Sequence, residues 1–96
     1  MYARLLQFSS DASKRPEVEA IADMAYTIAR QQKGFIGIHF IISPDESRYG
    51  SFSLWESRED ADAGGETIRE QVSEALQAVA SAPPTVETFE VYKPRS

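Results

Sequence analysis

The sequence predicts an α+β fold of the ferredoxin-like type, in which strands and helices follow one another as β-α-β-β-α-β. Two segments carry apolar residues at the three- and four-residue spacing of an amphipathic helix. Other, shorter segments are rich in β-branched and aromatic residues or alternate apolar with polar residues, which is typical of strands. The two middle strands are separated by a short polar turn and therefore predict a hairpin. This order gives an antiparallel sheet of four strands with both helices on one face.

The first strand and the first helix are predicted in the amino-terminal third of the chain. Residues 2–9 are mostly apolar and end in a polar run, as a short strand does. Pro16 suits the first turn of a helix, because the N–H group that proline lacks has no intrahelical partner there. We expect the helix to end at Gly34, a residue type common just beyond helix ends. Its apolar stripe is Val18, Ile21, Ala25 and Ile28.

A hairpin is predicted in the middle of the chain. Its first strand covers residues 34–43 and is apolar on both faces, so we expect both faces to be covered. Its second strand covers residues 49–56. If Ser43 opposes Tyr49, the even-numbered residues lie under the helices, because side chains alternate along a strand. The odd-numbered residues that this register places on the second face are Phe35, Gly37, His39, Ile41, Tyr49, Ser51, Ser53 and Trp55.

The second helix is predicted to begin after Ser57, whose spacing to Asp60 is that of a capping box. Gly64 and Gly65 interrupt its first turns, so a kink or a split is expected there. The proline pair at residues 83–84 stops the helix. Residues 86–92 then alternate apolar and polar side chains and predict the last strand.

Length and composition limit what the protein does. The 96 residues form one domain, because domains of globular proteins usually have roughly 100–150 residues. The chain has no cysteine and one histidine, so we expect no disulfide, no thiol nucleophile and no metal cofactor. A net charge of −5 argues against nucleic acid and anionic membranes as partners. Without a membrane-length apolar run or a signal peptide, a cytoplasmic location is expected.

The second face of the predicted sheet is too apolar to lie in water, and the chain has no third helix to cover it. The simplest cover is the same face of a second copy, which gives a two-fold homodimer with the two sheets closed into a barrel. The space between the sheets would then be an apolar pocket with a few polar groups, as in small-molecule sites.

Two motifs carry a family resemblance. KGFIG at residues 33–37 starts the second strand, and SLWESRED at residues 53–60 joins the third strand to the second helix. Together with the ending FEVY at residues 89–92, they resemble the antibiotic biosynthesis monooxygenase family of the dimeric α+β barrel superfamily. The resemblance covers nearly the whole chain. It implies a homodimer that needs no cofactor and oxidises a small aromatic or polyketide-like substrate with O2.

The resemblance and the residue chemistry together suggest a set of site residues. His39 has the only side chain with an unperturbed pKa near neutrality and is predicted to accept a proton from the substrate. Trp55 matches the strand tryptophan of the family and is predicted to stack on a planar substrate. Arg4 is expected on the dimer side, because burying an unpaired guanidinium under the helices would be costly. There it would bind an anionic group or pair with Glu90. The predicted catalytic residues are therefore His39 and Trp55, and the predicted substrate contacts are Arg4, Tyr49, Ser51 and Ser53.

Two alternative functions stay open. The protein could be a non-catalytic dimer that binds a small ligand or is filled by its own side chains. Ser51 favours this alternative, since the quinone-forming members of the family carry an asparagine at that position. Haem degradation is the other alternative. It is disfavoured because the haem-degrading branch has a second tryptophan and a helical histidine, whereas this chain has only Trp55 and the strand residue His39.

Overall fold

The computed structural model describes residues 1–95 and has the predicted order of elements. A single antiparallel sheet has the strand order β2-β3-β1-β4, and two helices pack against one of its faces. This arrangement confirms the ferredoxin-like α+β fold. The strands and α-helices are β1 (Tyr2–Ser9), α1 (Arg15–Ala29), β2 (Phe35–Ile42), β3 (Arg48–Trp55), α2 (Arg58–Val79) and β4 (Thr85–Glu90), and a short 3-10 helix (Ala12–Lys14) precedes α1.

Helix α1 is shorter at its carboxyl end than the sequence predicts. Pro16 lies in its first turn as expected, but the helix ends at Ala29, five residues before Gly34. Gly34 instead belongs to the turn that leads into β2, where it has a φ of 78°. A side chain at this position would also collide with the carboxyl group of Asp60. The glycine is therefore required by the turn and by the close approach of α2, and it does not cap α1.

Helix α2 begins as predicted and continues without a break. The Ser57 hydroxyl accepts a hydrogen bond from the backbone N–H of Asp60 at 3.1 Å, which satisfies one of the unpaired donors at the helix start. The helix continues through Gly64 and Gly65, so the expected split is absent. Both glycines are buried because the side chains of Trp55 and Arg4 from the sheet lie against the helix backbone there.

The hairpin register differs by one residue from the predicted one. Ile42 pairs with Tyr49 and Ile38 pairs with Ser53, whereas the sequence suggested Ser43 opposite Tyr49. A one-residue shift moves every side chain of a strand to the other face of the sheet. The β3 residues that consequently face the helices are Tyr49, Ser51, Ser53 and Trp55.

The turn of the hairpin explains the shift. The Asp45 carboxylate accepts hydrogen bonds from the Ser43 hydroxyl at 2.7 Å and from the backbone N–H of Ser47 at 3.1 Å. The backbone N–H of Ser43 donates to the Arg48 carbonyl at 2.9 Å. Arg48 therefore pairs across the turn with Ser43, in the place where the sequence suggested Tyr49.

Strand β1 pairs with β3, and its side chains also lie on the opposite face of the sheet from the one predicted. Arg4 pairs with Ser53 and Phe8 pairs with Tyr49. The side chains of Arg4, Leu6 and Phe8 consequently lie under the helices, and the expectation that they point to a second copy is wrong.

The core lies between the helices and one end of the sheet. Tyr49 is 3% exposed and packs with Val18 of α1 and Leu76 of α2. The ring of Phe8 stacks on the Tyr49 ring with the centroids 5.7 Å apart. At the other end of β3 the Trp55 side chain is completely buried.

The opposite face of the sheet is uncovered and more apolar than predicted. Phe52 and Leu54 were expected under the helices but belong to this open face, together with His39 and Ile41. Ile41 and Phe89 are 46% and 45% exposed. Within residues 1–95, no helix is both long enough and apolar enough to cross a bilayer.

Candidate functional site

A cavity of about 270 Å³ lies between the sheet and the two helices of a single chain. Its volume is slightly below the roughly 300–1,000 Å³ of typical ligand pockets, so it suits a small ligand. Most of its wall is aliphatic or aromatic. The apolar side chains that line it include Leu6, Phe8, Ile21, Ile38, Phe40, Ile68, Val72 and Leu76. The polar lining residues are Arg4, Tyr49, Ser51, Ser53, Glu19, Asp23 and Arg69.

Arg4 brings a guanidinium group to the wall of the cavity. The group lies directly against the backbone of Gly65, where a Cβ atom would overlap its Nε and Cζ atoms. Among residues 1–95, no carboxylate oxygen lies within 4.0 Å of the Arg4 nitrogens. Burial and the nearby positive charge of Arg69 lower the pKa of Arg4, while Glu66 and Asp62 act in the opposite direction.

Arg4 lies under α2, whereas the sequence suggested that it would lie on the dimer side. Burial of an unpaired guanidinium is costly, but this group is only half-buried and borders a cavity. The glycine at position 65 provides the room that a larger residue would occupy.

Ser53 and Trp55 form a hydrogen-bonded pair beside the cavity. They are two residues apart on β3 and therefore share a face of the sheet. The Trp55 indole N–H donates to the Ser53 hydroxyl oxygen at 2.9 Å. The Ser53 hydroxyl lies 3.4 Å from the backbone carbonyl of Arg4, to which it makes a long hydrogen bond. The Ser53 hydroxyl can therefore turn its proton towards a ligand while Trp55 holds its oxygen.

Trp55 itself does not line the cavity. Its ring is completely buried and rests on the backbone of Gly64. The edge of the Trp55 ring also meets Phe35, with the ring centroids 5.5 Å apart. The predicted stacking of Trp55 on a substrate does not fit this location, where the indole N–H is instead hydrogen-bonded to the Ser53 hydroxyl.

Tyr49 and Ser51 lie further along the same strand. Tyr49 lines the cavity, but its hydroxyl is buried and has no hydrogen-bond partner among residues 1–95. Burial raises the pKa of the Tyr49 phenol, so the group stays protonated at neutral pH. Ser51 is partly exposed and adds a second serine hydroxyl to the wall.

His39 is separated from all the other predicted site residues. It pairs with Phe52 on the open face of the sheet and is solvent-exposed in the single chain. The structure thus brings together Arg4, Tyr49, Ser51 and Ser53, places Trp55 directly behind them, and leaves His39 on the other side of the sheet.

Sequence reasoning missed the contribution of helix α2 to the site. Arg69 lies four residues after Gly65, which is about one helical turn, and both face the region of Arg4. The signal was the glycine pair itself, because two adjacent glycines inside a predicted helix leave room for close approach of neighbouring side chains. The part of the chain that the structure describes contains no group of three or more potential metal ligands.

Comparisons with known proteins give structural matches alone, since the chain matches no protein-family model and no curated protein sequence. A Nitrosomonas europaea protein provisionally assigned as an antibiotic biosynthesis monooxygenase superposes with a TM-score of 0.83 at 16% identity, over 97% of this chain and 100% of its own. SnoaB, a cofactor-independent oxygenase from Streptomyces nogalater, superposes with a TM-score of 0.80 at 13% identity, over 98% and 95%. The chain has the fold of the antibiotic biosynthesis monooxygenases.

A third monooxygenase of this fold, from Streptomyces coelicolor, was solved in complex with nanaomycin D and superposes with a TM-score of 0.78 at 19% identity, over 97% of this chain and 88% of its own. The resemblance inferred from the sequence motifs is thereby confirmed at the level of the fold. Another match, with a TM-score of 0.82, is a Nitrosomonas europaea protein of unknown function. The monooxygenase fold therefore does not by itself establish an activity.

Proposed function

We propose that the protein is a cofactor-independent monooxygenase that oxidises a small aromatic or polyketide-like substrate in the cavity between its sheet and its helices. This proposal rests on the cavity itself, which has an apolar wall and a small cluster of polar side chains from Arg4, Ser51 and Ser53. The likeness of the fold to SnoaB supports the reaction type. The site differs from the expected one, which lay between two copies.

The proposed reaction converts an activated methylene group, such as that of an anthrone, into a ketone. The methylene loses a proton and gives a carbanion that is delocalised onto the neighbouring carbonyl oxygen. The carbanion transfers electrons to O2 and forms a carbon–oxygen bond, and the resulting hydroperoxide loses water. One oxygen atom ends in the ketone and the other in water, while the methylene supplies both hydrogens and the electrons.

The residues of the cavity would assist this reaction electrostatically. The Ser53 hydroxyl, held by Trp55, would donate a hydrogen bond to the oxygen on which negative charge develops. The positive charge of Arg4 would favour the substrate anion and lower the pKa of the methylene. Water would then be able to accept the proton, so the reaction would not need His39.

We further propose that the protein functions as a homodimer through its open sheet face. Ile41, Phe52 and Phe89 are each at least 36% exposed there, although they are large and apolar. Soluble monomers rarely expose a contiguous apolar patch of this kind. A second copy related by a two-fold axis would cover the same face on both chains.

Oxygen uptake with a hydroxylated anthrone, dithranol, tests the proposed reaction. We expect uptake above the protein-free rate, with dithranol converted to the corresponding quinone. Ser53→Ala should lower the rate by roughly 10- to 100-fold, because it removes a hydrogen bond to a charged group. Arg58→Gln is the control, since Arg58 is 71% exposed and does not line the cavity. An uptake rate equal to the protein-free rate would contradict the proposal, and saturable dithranol binding without uptake would favour the non-catalytic alternative.

A further inference from the structure

We infer that the substrate of this cavity is an aromatic carboxylate whose acid group binds the guanidinium of Arg4. The inference rests on the function proposed above, and it narrows the substrate from aromatic compounds in general to aromatic acids. It follows from three features of the site, namely how Arg4 is held, what charges surround it and what the rest of the cavity offers.

The guanidinium of Arg4 is held in place before any ligand binds. The backbone of Arg4 lies in the middle of the sheet, where β1 pairs with β3 on one side and with β4 on the other. Its Cδ, Nε and Cζ atoms lie against the backbone of Gly65. A guanidinium that is fixed on one side offers its remaining N–H groups in a planar fork, which matches the two oxygens of a carboxylate.

The charges around Arg4 leave room for an anion. The nearest acids, Glu66 and Asp62, lie on α2 beyond ion-pair distance, and Arg69 adds a second positive charge at the cavity wall. The two acidic lining residues, Glu19 and Asp23, lie on α1, and neither is among the charges that shift the pKa of Arg4. Glu19 already pairs with Arg15, with the two atoms 3.0 Å apart. A half-buried cation without a partner loses hydration on folding, and a bound carboxylate compensates for that loss.

Apart from Arg69, the Tyr49 hydroxyl and two acidic side chains of α1, the remainder of the cavity offers apolar surface and serine hydroxyls. Ile38 and Phe40 from β2 face Ile68 and Val72 from α2 across it. Such walls favour a flat hydrocarbon body, and about 270 Å³ limits that body to a small ring system. An apolar body with one acidic end therefore matches both parts of the site.

Isothermal titration calorimetry with β-naphthoate and its uncharged amide, β-naphthamide, tests the inference without any turnover. The two compounds have the same ring system and nearly the same shape, so their difference reports the charge. We expect β-naphthoate to bind roughly 10- to 100-fold more tightly than β-naphthamide to the wild-type protein, the difference that a hydrogen bond to a charged group supplies. Equal affinities, or binding of neither compound, would overturn the inference.

Two variants assign the charge preference to Arg4. Arg4→Gln should abolish the preference while β-naphthamide still binds, whereas Arg58→Gln changes the net charge equally and should keep the preference. Gly65→Ala keeps the charge but displaces the guanidinium, and it should weaken β-naphthoate selectively. A preference that survives Arg4→Gln would refute the assignment, and the wild-type comparison stands even if a variant does not fold.

The outcomes also separate this inference from the proposed reaction. Oxidation of dithranol, which has no carboxylate, together with equal binding of the two naphthalene compounds would support the reaction and overturn the inference. A clear preference for β-naphthoate without oxygen uptake would support the inference about the ligand and contradict the reaction.

Discussion

Gly64→Ala is the substitution that best tests how the sheet packs against α2. Gly64 lies inside a long helix, where alanine is more favourable than glycine by about 1 kcal/mol. Helix propensity alone therefore predicts a more stable protein. The structure predicts the opposite sign, because a Cβ atom on Gly64 would overlap the ring of Trp55.

The size of the effect follows from the burial of Trp55. Its ring is 0% exposed, so it has no open space into which to move when a methyl group is added. Overpacking of a core costs roughly 1–3 kcal/mol, and the gain in helix propensity offsets about 1 kcal/mol of it. The expected result is a net loss of about 1 kcal/mol in the free energy of unfolding, within a range of about 0–2 kcal/mol.

Urea unfolding followed by circular dichroism measures this change. All variants are compared at one protein concentration, because association would make the stability depend on concentration. Ala63→Gly is the matched control, since Ala63 is the exposed neighbour of Gly64 in the same helix. It exchanges the same two residue types in the opposite direction, at an exposed position. It should lose about 1 kcal/mol from helix propensity alone. If Gly64→Ala instead gains about 1 kcal/mol, the Trp55 ring does not rest on the helix backbone and the packing argument is wrong.

Three further substitutions test other parts of the structure. Tyr49→Phe should leave the stability unchanged or raise it by up to about 1 kcal/mol, because the buried hydroxyl has no partner among residues 1–95; a clear loss in urea unfolding would show that the hydroxyl is hydrogen-bonded. His39→Gln should leave dithranol-dependent oxygen uptake unchanged, because His39 lies across the sheet from the cavity, and an inactive but folded variant would place the chemistry on the open face. Hydrogen bonds from Ser43 and Ser47 lower the pKa of Asp45 from 3.8 to about 2. The folded state therefore gains stability from Asp45 above about pH 3.8 and loses it as the pH falls towards 2. Asp45→Asn should make the urea midpoint less dependent on pH over this interval. A urea midpoint that changes with pH as steeply in Asp45→Asn as in the wild type would contradict the turn geometry.

The elements of the fold could be predicted because their signals are local. The strand at residues 2–9, the cap at Ser57 and the stop before the proline pair each depend on a few adjacent residues. The sides of the sheet could not be predicted in the same way. They depend on the register of one hairpin. The Asp45 hydrogen bonds stabilise a turn whose register differs by one residue from the register that the sequence suggested.

For the candidate site, the structure tests only which of the predicted residues lie together. Arg4, Ser51 and Ser53 do line one cavity, but the cavity lies under the helices. The sequence placed His39 on the same face as these residues because it suggested a hairpin register that differs by one residue from the observed one. Burying the Arg4 guanidinium is costly, as expected, but Arg4 still lies under the helices, because the space beside Gly65 depends on packing that no local pattern shows.

The hydrogen bond between Trp55 and Ser53 has a practical consequence for anyone who studies ligands of this cavity. Trp55 is the only tryptophan of the chain, so the ultraviolet emission of the protein excited at the red edge of its absorption comes from one ring in one defined environment. That ring shares its N–H with a hydroxyl on the cavity wall. The molecule thus carries a built-in optical reporter one hydrogen bond away from whatever occupies the cavity, without a label and without a mutation.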